Sequence, residues 1–435
     1  MEPWLLLTPR KIRVYLSGNR RELRGAITNW AIVLFGLLAA QGATALALIV
    51  VARKVYPIEY GQYLSTYGLA SFLVVLPNYG MDAWLLTRGH STPSKVAELW
   101  GSSIRSRARL LLIWIAGMIL LGMFLPADTF PLKIVLPAVW GLAFDSLVLL
   151  SYAAFRSLNQ HGRVAILQSI SSLALLGITL VLPLRAGRIA LFAVGRAILS
   201  AVFMVIVIAL ASKDYLRHFR AFIPTRNLLL SARPFMMTEL TSSVYVKADL
   251  TIVSLLLGSP GASIYGPALN LLQVSLLVPR ALFFFVVPAL SRTYVETRRF
   301  FGKRCLAQLI AQALAGAALS IAIFLFAPIA VHLVFGPAYE RSAEVLRILS
   351  PVPFLRSLNF ALGATLASGN RQSRRIKVQL LCAGFNVLAN LAVIGPFGVA
   401  GVGIVYVLSE LILCAGYFFI VYNWLGRKSQ WDGSV

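Results

Sequence analysis

Apolar blocks long enough to cross a bilayer recur along the whole 435-residue chain, and the polar gaps between them are short. No water-soluble domain fits in those gaps. Twelve spans follow, at roughly 27–51, 64–87, 108–126, 132–155, 164–184, 188–211, 230–257, 264–290, 305–335, 345–367, 376–395 and 399–424. Composition agrees, since only 13% of residues are charged and 59% are hydrophobic, against about 25% charged in a soluble domain. The expected fold class is an all-α polytopic membrane protein. The first apolar run, Ala26 to Val51, exceeds the h-region of a signal peptide, so it is expected to remain as the first span.

The net charge of +25, from 40 basic and 15 acidic side chains, first suggests nucleic acid. Placement argues otherwise, because the cations lie in loops and at chain ends, where the positive-inside rule puts them. Twelve spans leave both termini on one side. With cations at span edges counted in the adjoining gap, the termini and the gaps after even-numbered spans hold 29 Lys and Arg, the opposite gaps hold 7, and four lie inside spans. That bias places both termini in the cytoplasm. The N-terminal "TPRKIRVYLSGNRRELRG", with Trp4 and Tyr15 as interfacial anchors, is expected to lie against anionic membrane lipids. Cys305, Cys382 and Cys414 fall in or beside spans without CxxC spacing, which argues against a disulfide framework or a zinc site.

Internal similarity divides the chain. "VYPIEYGQY" after span one has a counterpart in "GSPGASIYGPA" after span seven, with Tyr60-Gly61 and Tyr265-Gly266 about half the chain apart; "FGPAYE" and "GPFGVAG" are weaker echoes. Six crossings return the chain to its starting side, so two six-helix halves share one orientation, related by an axis along the membrane normal. The expected domains are a basic cytoplasmic segment (1–26), a first bundle (27–212), a basic linker (213–229), a second bundle (230–424) and a tail (425–435), with the bundles around a central lumen.

Polar residues interrupt several spans. In span seven, Glu239, Ser243, Lys247, Thr251 and Ser254 recur at helical spacing and form one polar face. Asp249 points about 200° away from Lys247 on such a helix, so Lys247 is expected to face water or substrate and Asp249 to hold a neighbouring helix. Tyr67, Ser71, Asn78 and Asp82 mark span two, and Asp145, Tyr152 and Arg156 mark span four. Asn270, Gln273 and Arg280 follow in span eight, Arg356 and Asn359 in span ten, and Gln379, Asn386 and Asn390 in span eleven. Ser, Asn and Gln also stitch membrane helices together; ionisable residues within a span point to function. The intramembrane cations Arg196, Lys247, Arg280 and Arg356 face five acids, Asp82, Asp145, Glu239, Asp249 and Glu410, so a cationic lumen requires several acids to point elsewhere or be protonated.

These segments carry a resemblance. "ARKVYPIEYGQYLSTYGLASFLVVLPNYGMDAWLLTRG" resembles the first hairpin of polysaccharide-type (Wzx-type) flippases, with its Gly-x-Asp on Asp82 and its nearby Arg on Arg88. "YVKADLTIVSLLLGSPGASIYGPALNLLQVSLLVPRALFFFVVPALSR" is similar to their seventh and eighth spans, with the basic and acidic pair on Lys247 and Asp249. "FGPAYERSAEVLRILSPVPFLRSLNFALGATLASGNRQ" and "NVLANLAVIGPFGVAGVGIVYVLSE" are similar to spans nine and ten and to the last two. The chain departs from the pattern with Lys where Arg is frequent and "VYP" where "LGP" is usual.

The resemblance implies a member of the multidrug, oligosaccharidyl-lipid and polysaccharide exporter superfamily, in the bacterial inner membrane, that flips an undecaprenyl-diphosphate-linked oligosaccharide to the outer leaflet. Its substrate contacts are expected among Lys247, Arg280, Arg356, Arg196, Arg88, Asn270, Gln273 and Asn359, with Glu239 or Asp82 coupling transport to H+ or Na+ and Asp249 and Asp145 serving structure. No cofactor, metal or enzymatic activity is expected; polysaccharide polymerase and export machinery are expected partners. A lumen offering Lys or Arg to phosphates and amides or hydroxyls to sugars replaces the water a headgroup loses. One rival is a multidrug extruder of the same superfamily, whose cationic substrates would make lumen acids essential. The other, a membrane glycosyl polymerase or ligase, usually carries a long outer loop, and the outer loops here are short.

Overall fold

The computed structural model describes residues 20–215, 223–296, 298–369 and 371–426. The first half contains α1 (Arg20–Lys54), α2 (Pro57–Leu73), α3 (Val75–Asn78), α4 (Met81–Ser91), α5 (Val96–Phe124), α6 (Leu132–Ser157), α7 (His161–Val181) and α8 (Ile189–Tyr215). The second contains α9 (Thr225–Leu256), α10 (Gly258–Ser275), α11 (Leu277–Glu296), α12 (Arg298–Phe335), α13 (Glu340–Ile348), α14 (Val352–Ser368) and α15 (Gln372–Gly426). Among the described residues there is no strand. The interfacial segment with Trp4 and Tyr15, residues 216–222 of the basic linker and the tail after 426 lie outside the described residues.

Six helices are each long and apolar enough to cross a membrane, and two bent pairs, α2–α4 at 42° and α13–α14 at 47°, bring the number to eight among the described residues. The 55 residues of α15 would extend roughly 80 Å at 1.5 Å per residue, more than twice a hydrocarbon core. Gly398 breaks that helix with φ 56° and ψ −142°, so α15 is two crossings meeting at Pro396–Gly398. Counting α1, α9 and the α10–α11 pair as crossings too, as the sequence spans do, gives twelve among the described residues. The turn expected after span seven is instead helical, since α10 begins at Gly258 directly after α9.

Span two bends where Tyr79 (φ 51°) and Gly80 (φ 66°) take successive left-handed conformations. Gly80 also lets α9 come close, because a Cβ there would lie 2.3 Å from the Met236 nitrogen.

Packing repeats between the halves. In the first, α1 packs on α7, α6 on both α8 and α5, and α4 on α6. Six spans later, α9 packs on α15, α14 on both α15 and α12, and α11 on α14. The halves meet chiefly through α2, which packs on α10 and α9, and at the other end the start of α9 packs on α3, α4 and α5. There a Cβ on Gly61 would lie 2.2 Å from the Ser259 carbonyl oxygen, and one on Gly266 would lie 2.2 Å from Leu64 Cδ1. The repeated Tyr-Gly pairs thus lie where the halves approach closely.

This end holds one apolar core shared by both halves, joining Tyr60, Tyr63 and Phe192 to Tyr265, Phe335, Tyr339 and Val402. Tyr339 donates a hydrogen bond to the Ala52 carbonyl at 2.9 Å, and Arg53 donates to the Leu333 carbonyl at the end of α12. Lys54 donates to Thr179 and Leu180 carbonyls at the end of α7, at 3.1 and 3.3 Å. Both cations thereby fill carbonyls that a helix C-terminus leaves unpaired. At the opposite end the cores are separate. One groups Met81, Trp84, Trp100 and Phe155 with Leu228 and Ala232 of α9. The other groups Leu290, Phe301, Cys305, Ala364 and Trp424 of the second half.

Candidate functional site in the central cavity

Where the halves diverge, a cavity of about 490 Å³ opens among α1, α6, α7, α8 and the α10–α11 pair. Its polar wall is assembled from helical faces. Gln41 and Thr44 stand one turn apart on α1; Gln168, Ser171 and Ser172 share a face of α7; Arg196 and Ser200 share a face of α8. Asp145 and Tyr152 come from α6, and Asn270 and Gln273 from α10. Apolar residues such as Leu48, Leu175 and Leu277 fill the rest of the wall.

The wall is pre-organised. Arg196 donates through Nη1 to Tyr63 Oη at 2.7 Å, and its guanidinium lies 4.4 Å above the Tyr67 ring. Asp145 sits beside Arg196 and the Ser200 hydroxyl. Thr44 donates to Ser172 Oγ at 3.2 Å, and Asn270 donates to Tyr60 Oη at 2.9 Å across the halves. Gln168 Oε1 is buried and has no hydrogen-bond partner among the described residues. At the rim, Arg280 follows Leu277 by one turn of α11 and lies 3.5 Å from Gln41 Oε1 of α1.

Of the twelve singled-out residues, the structure brings Arg196, Asn270, Gln273 and Asp145 onto this wall and Arg280 to its rim. Asp145, expected to be structural, is therefore a cavity residue. The others go elsewhere. Lys247 is half-buried and donates to the Ser71 carbonyl of α2 at 2.7 Å. Ser71 lies in the last turn of α2, where carbonyls lack helical partners. Arg356 is paired with Glu410, and Asn359 donates to Glu410 Oε2 at 2.7 Å; Tyr245 donates to the same carboxylate. This group binds α9, α14 and α15 together.

Asp249 is 3% exposed and accepts from Asn390 Nδ2 of α15 at 2.7 Å, with Asn386 and the Tyr265 hydroxyl also beside it. Asp82 pairs at 2.8 Å with Arg107. Arg107 also donates to the Ser146 and Asn78 carbonyls. Glu239 sits beside the Asn78 amide and the Gly80 N–H. Arg88 is exposed on the last turn of α4.

The residues that sequence reasoning missed are Gln41, Thr44, Gln168, Ser171, Ser172 and Ser200. A signal was present, because each group recurs at i, i+3 or i+4 inside an apolar span.

A family model described as polysaccharide biosynthesis protein matches residues 26–294. No curated protein matches the chain. Among solved structures, one titled "Lipid II flippase MurJ, inward closed conformation" superposes with a TM-score of 0.72 at 14% identity, covering 90% of this chain and 87% of that one. The inward-facing conformation of a multidrug resistance MATE family transporter of the MOP superfamily superposes with a TM-score of 0.70 at 13% identity, covering 91% and 96%. The outward-facing conformation of such a transporter gives 0.59 at 13% identity, covering 92% and 96%. The chain has the MOP-superfamily transporter fold, two six-helix bundles around a central lumen.

Proposed function

The chain belongs to the polysaccharide biosynthesis protein family, and we propose that it is a flippase carrying a polyprenyl-diphosphate-linked oligosaccharide from the cytoplasmic to the outer leaflet of a bacterial inner membrane. The observation that carries this reading is the cavity itself. Amides and hydroxyls on five helices face one space between the halves, and Arg280 stands at its rim among the lipid-spanning helices. Hydroxyl-rich sugars need many neutral donors and acceptors, whereas a diphosphate needs a cation with open coordination. Of the four intramembrane cations, Arg196 has Asp145 beside it, Arg356 has Glu410 and Lys247 has Glu239 nearby with its ammonium on Ser71. Arg280 hydrogen-bonds only to a neutral amide among the described residues and has Arg356 and Tyr406, but no acid, beside it. The diphosphate is received at Arg280, the sugars enter the cavity, and the polyprenyl tail stays in lipid.

The shared core lies at the end carrying the turns after spans one, five, seven and nine, the cation-poor side. The separate cores lie at the cation-rich end. With the cation-rich side taken as cytoplasmic, the described state is closed at its outer end, a reading that the better superposition on the inward-facing relative supports. Rocking of the halves that parts the α2–α10 contact exposes the cavity to the other side. Glu239, outside every ion pair among the described residues, is the better placed of the two coupling acids for H+ or Na+, since Asp82 is held by Arg107. The flipped product is then available to a polymerase and export machinery at the outer surface.

The test replaces Arg280. Arg280→Ala at normal membrane abundance should abolish surface polysaccharide and leave lipid-linked oligosaccharide unexposed on the outer leaflet, while Arg280→Lys should retain part of the activity. Full export by Arg280→Ala, or loss of resistance to cationic drugs as the phenotype, would favour the multidrug extruder instead.

A further inference from the structure

Two charged side chains, Asp145 and Arg196, face the cavity, and they stand next to each other. Arg196 is already engaged, with one nitrogen on Tyr63 Oη at 2.7 Å and its plane over Tyr67. The formal charge of the cavity wall is therefore zero. Every other polar contributor is a neutral amide or hydroxyl, including the buried Gln168 Oε1, which has no hydrogen-bond partner among the described residues and accepts from a sugar hydroxyl without needing a charge.

We infer that this cavity selects an oligosaccharide whose sugars carry no carboxylate, and that Asp145 is the residue that excludes uronate-bearing repeats. The inference rests on the flippase reading and adds the class of glycan. Asp145 holds the one cation on the wall among the described residues, so a carboxylate that entered would lose its water and find no free cation to replace it. Arg196 cannot serve, because its charge is already matched by Asp145. A substrate diphosphate escapes the same penalty by stopping at Arg280 on the rim. A desolvated charge left without a partner is one way a site rejects a near-identical competitor.

The experiment uses purified full-length protein in phosphatidylethanolamine and phosphatidylglycerol vesicles under imposed H+ and Na+ gradients. Two polyprenyl-diphosphate trisaccharides, identical except that one glucose is replaced by glucuronate, are supplied on one leaflet. Appearance on the other leaflet is read by an impermeant glycosidase. The neutral trisaccharide should be carried roughly 10- to 100-fold faster than the glucuronate form, from the cost of leaving a desolvated carboxylate unpaired. Asp145→Asn, which keeps the shape and removes the charge, should narrow that ratio at least tenfold. Equal rates, or a preference for glucuronate, overturn the inference and leave the flippase reading standing. An unchanged ratio in Asp145→Asn removes Asp145 from selectivity. Transport of neither trisaccharide defeats the flippase reading and this inference with it.

Discussion

A methyl group at Gly61 is the smallest change that should convert the described state into its opposite. The alanine Cβ would lie 2.2 Å from the Ser259 carbonyl oxygen, whereas ordinary contact begins near 3.4 Å. The two halves must therefore part by roughly 1 Å at α2 and α10, and backbone on both sides leaves no flexible side chain to absorb the overlap. Overpacking of this size costs about 1–3 kcal/mol. Because the overlap exists only while the outer end is closed, the cost falls on that state alone and shifts the balance toward outward opening by about 5- to 150-fold. The assay places a cysteine at Gln273 on the cavity wall, in a background lacking Cys305, Cys382 and Cys414, and labels intact cells with an impermeant maleimide. Gly61→Ala should raise labelling from outside; Gly117→Ala, where a Cβ meets nothing within 4 Å, should leave it unchanged. Gly61→Ala at wild-type abundance with unchanged labelling would refute the role of this contact as the outer seal.

Lys247→Ala leaves the Ser71 carbonyl without its 2.7 Å partner and should lower stability by about 1–3 kcal/mol, seen as a fall in melting temperature in detergent, with Lys247→Arg close to wild type. An unaltered melting temperature with export lost would make Lys247 a substrate ligand instead. For orientation, Asp128 and Lys377 are the exposed reporters, since Ser259 is buried under Thr129 and Asp128. A cysteine at 128 should react with an impermeant maleimide in intact cells and one at 377 only after lysis; the reverse pattern overturns the proposed topology.

The crossings were legible because burial in lipid imposes a length that any chain must meet, and the repeat was legible because close helix approach admits little besides Gly at positions 61 and 266. What the sequence withheld were partners. Asp82 and Arg107 are 25 positions apart, and Arg356 and Glu410 are 54 apart; nothing in local spacing joins either pair. Arg107 looked like a loop cation, yet its side chain is fully buried. Intramembrane charge was read correctly as costly, but the remedy could be protein or substrate, and only three dimensions separate Arg356, held by an acid, from Arg280, which contacts a neutral amide. The cavity faces of α1 and α7 went unseen because their hydroxyls and amides are individually indistinguishable from helix-stitching residues.

Helix α9 begins in one half and ends in the other. Leu228 and Ala232 sit in the core with Trp84 and Phe155, while Asp249 is bonded to α15. Anyone recombining halves from different relatives would naturally cut in the linker near residue 220, and that cut separates α9 from the core its first turns complete. A hybrid joined between Phe235 and Ser243 instead keeps both cores intact, so exchange of glycan specificity between relatives should succeed at that crossover and fail at the loop.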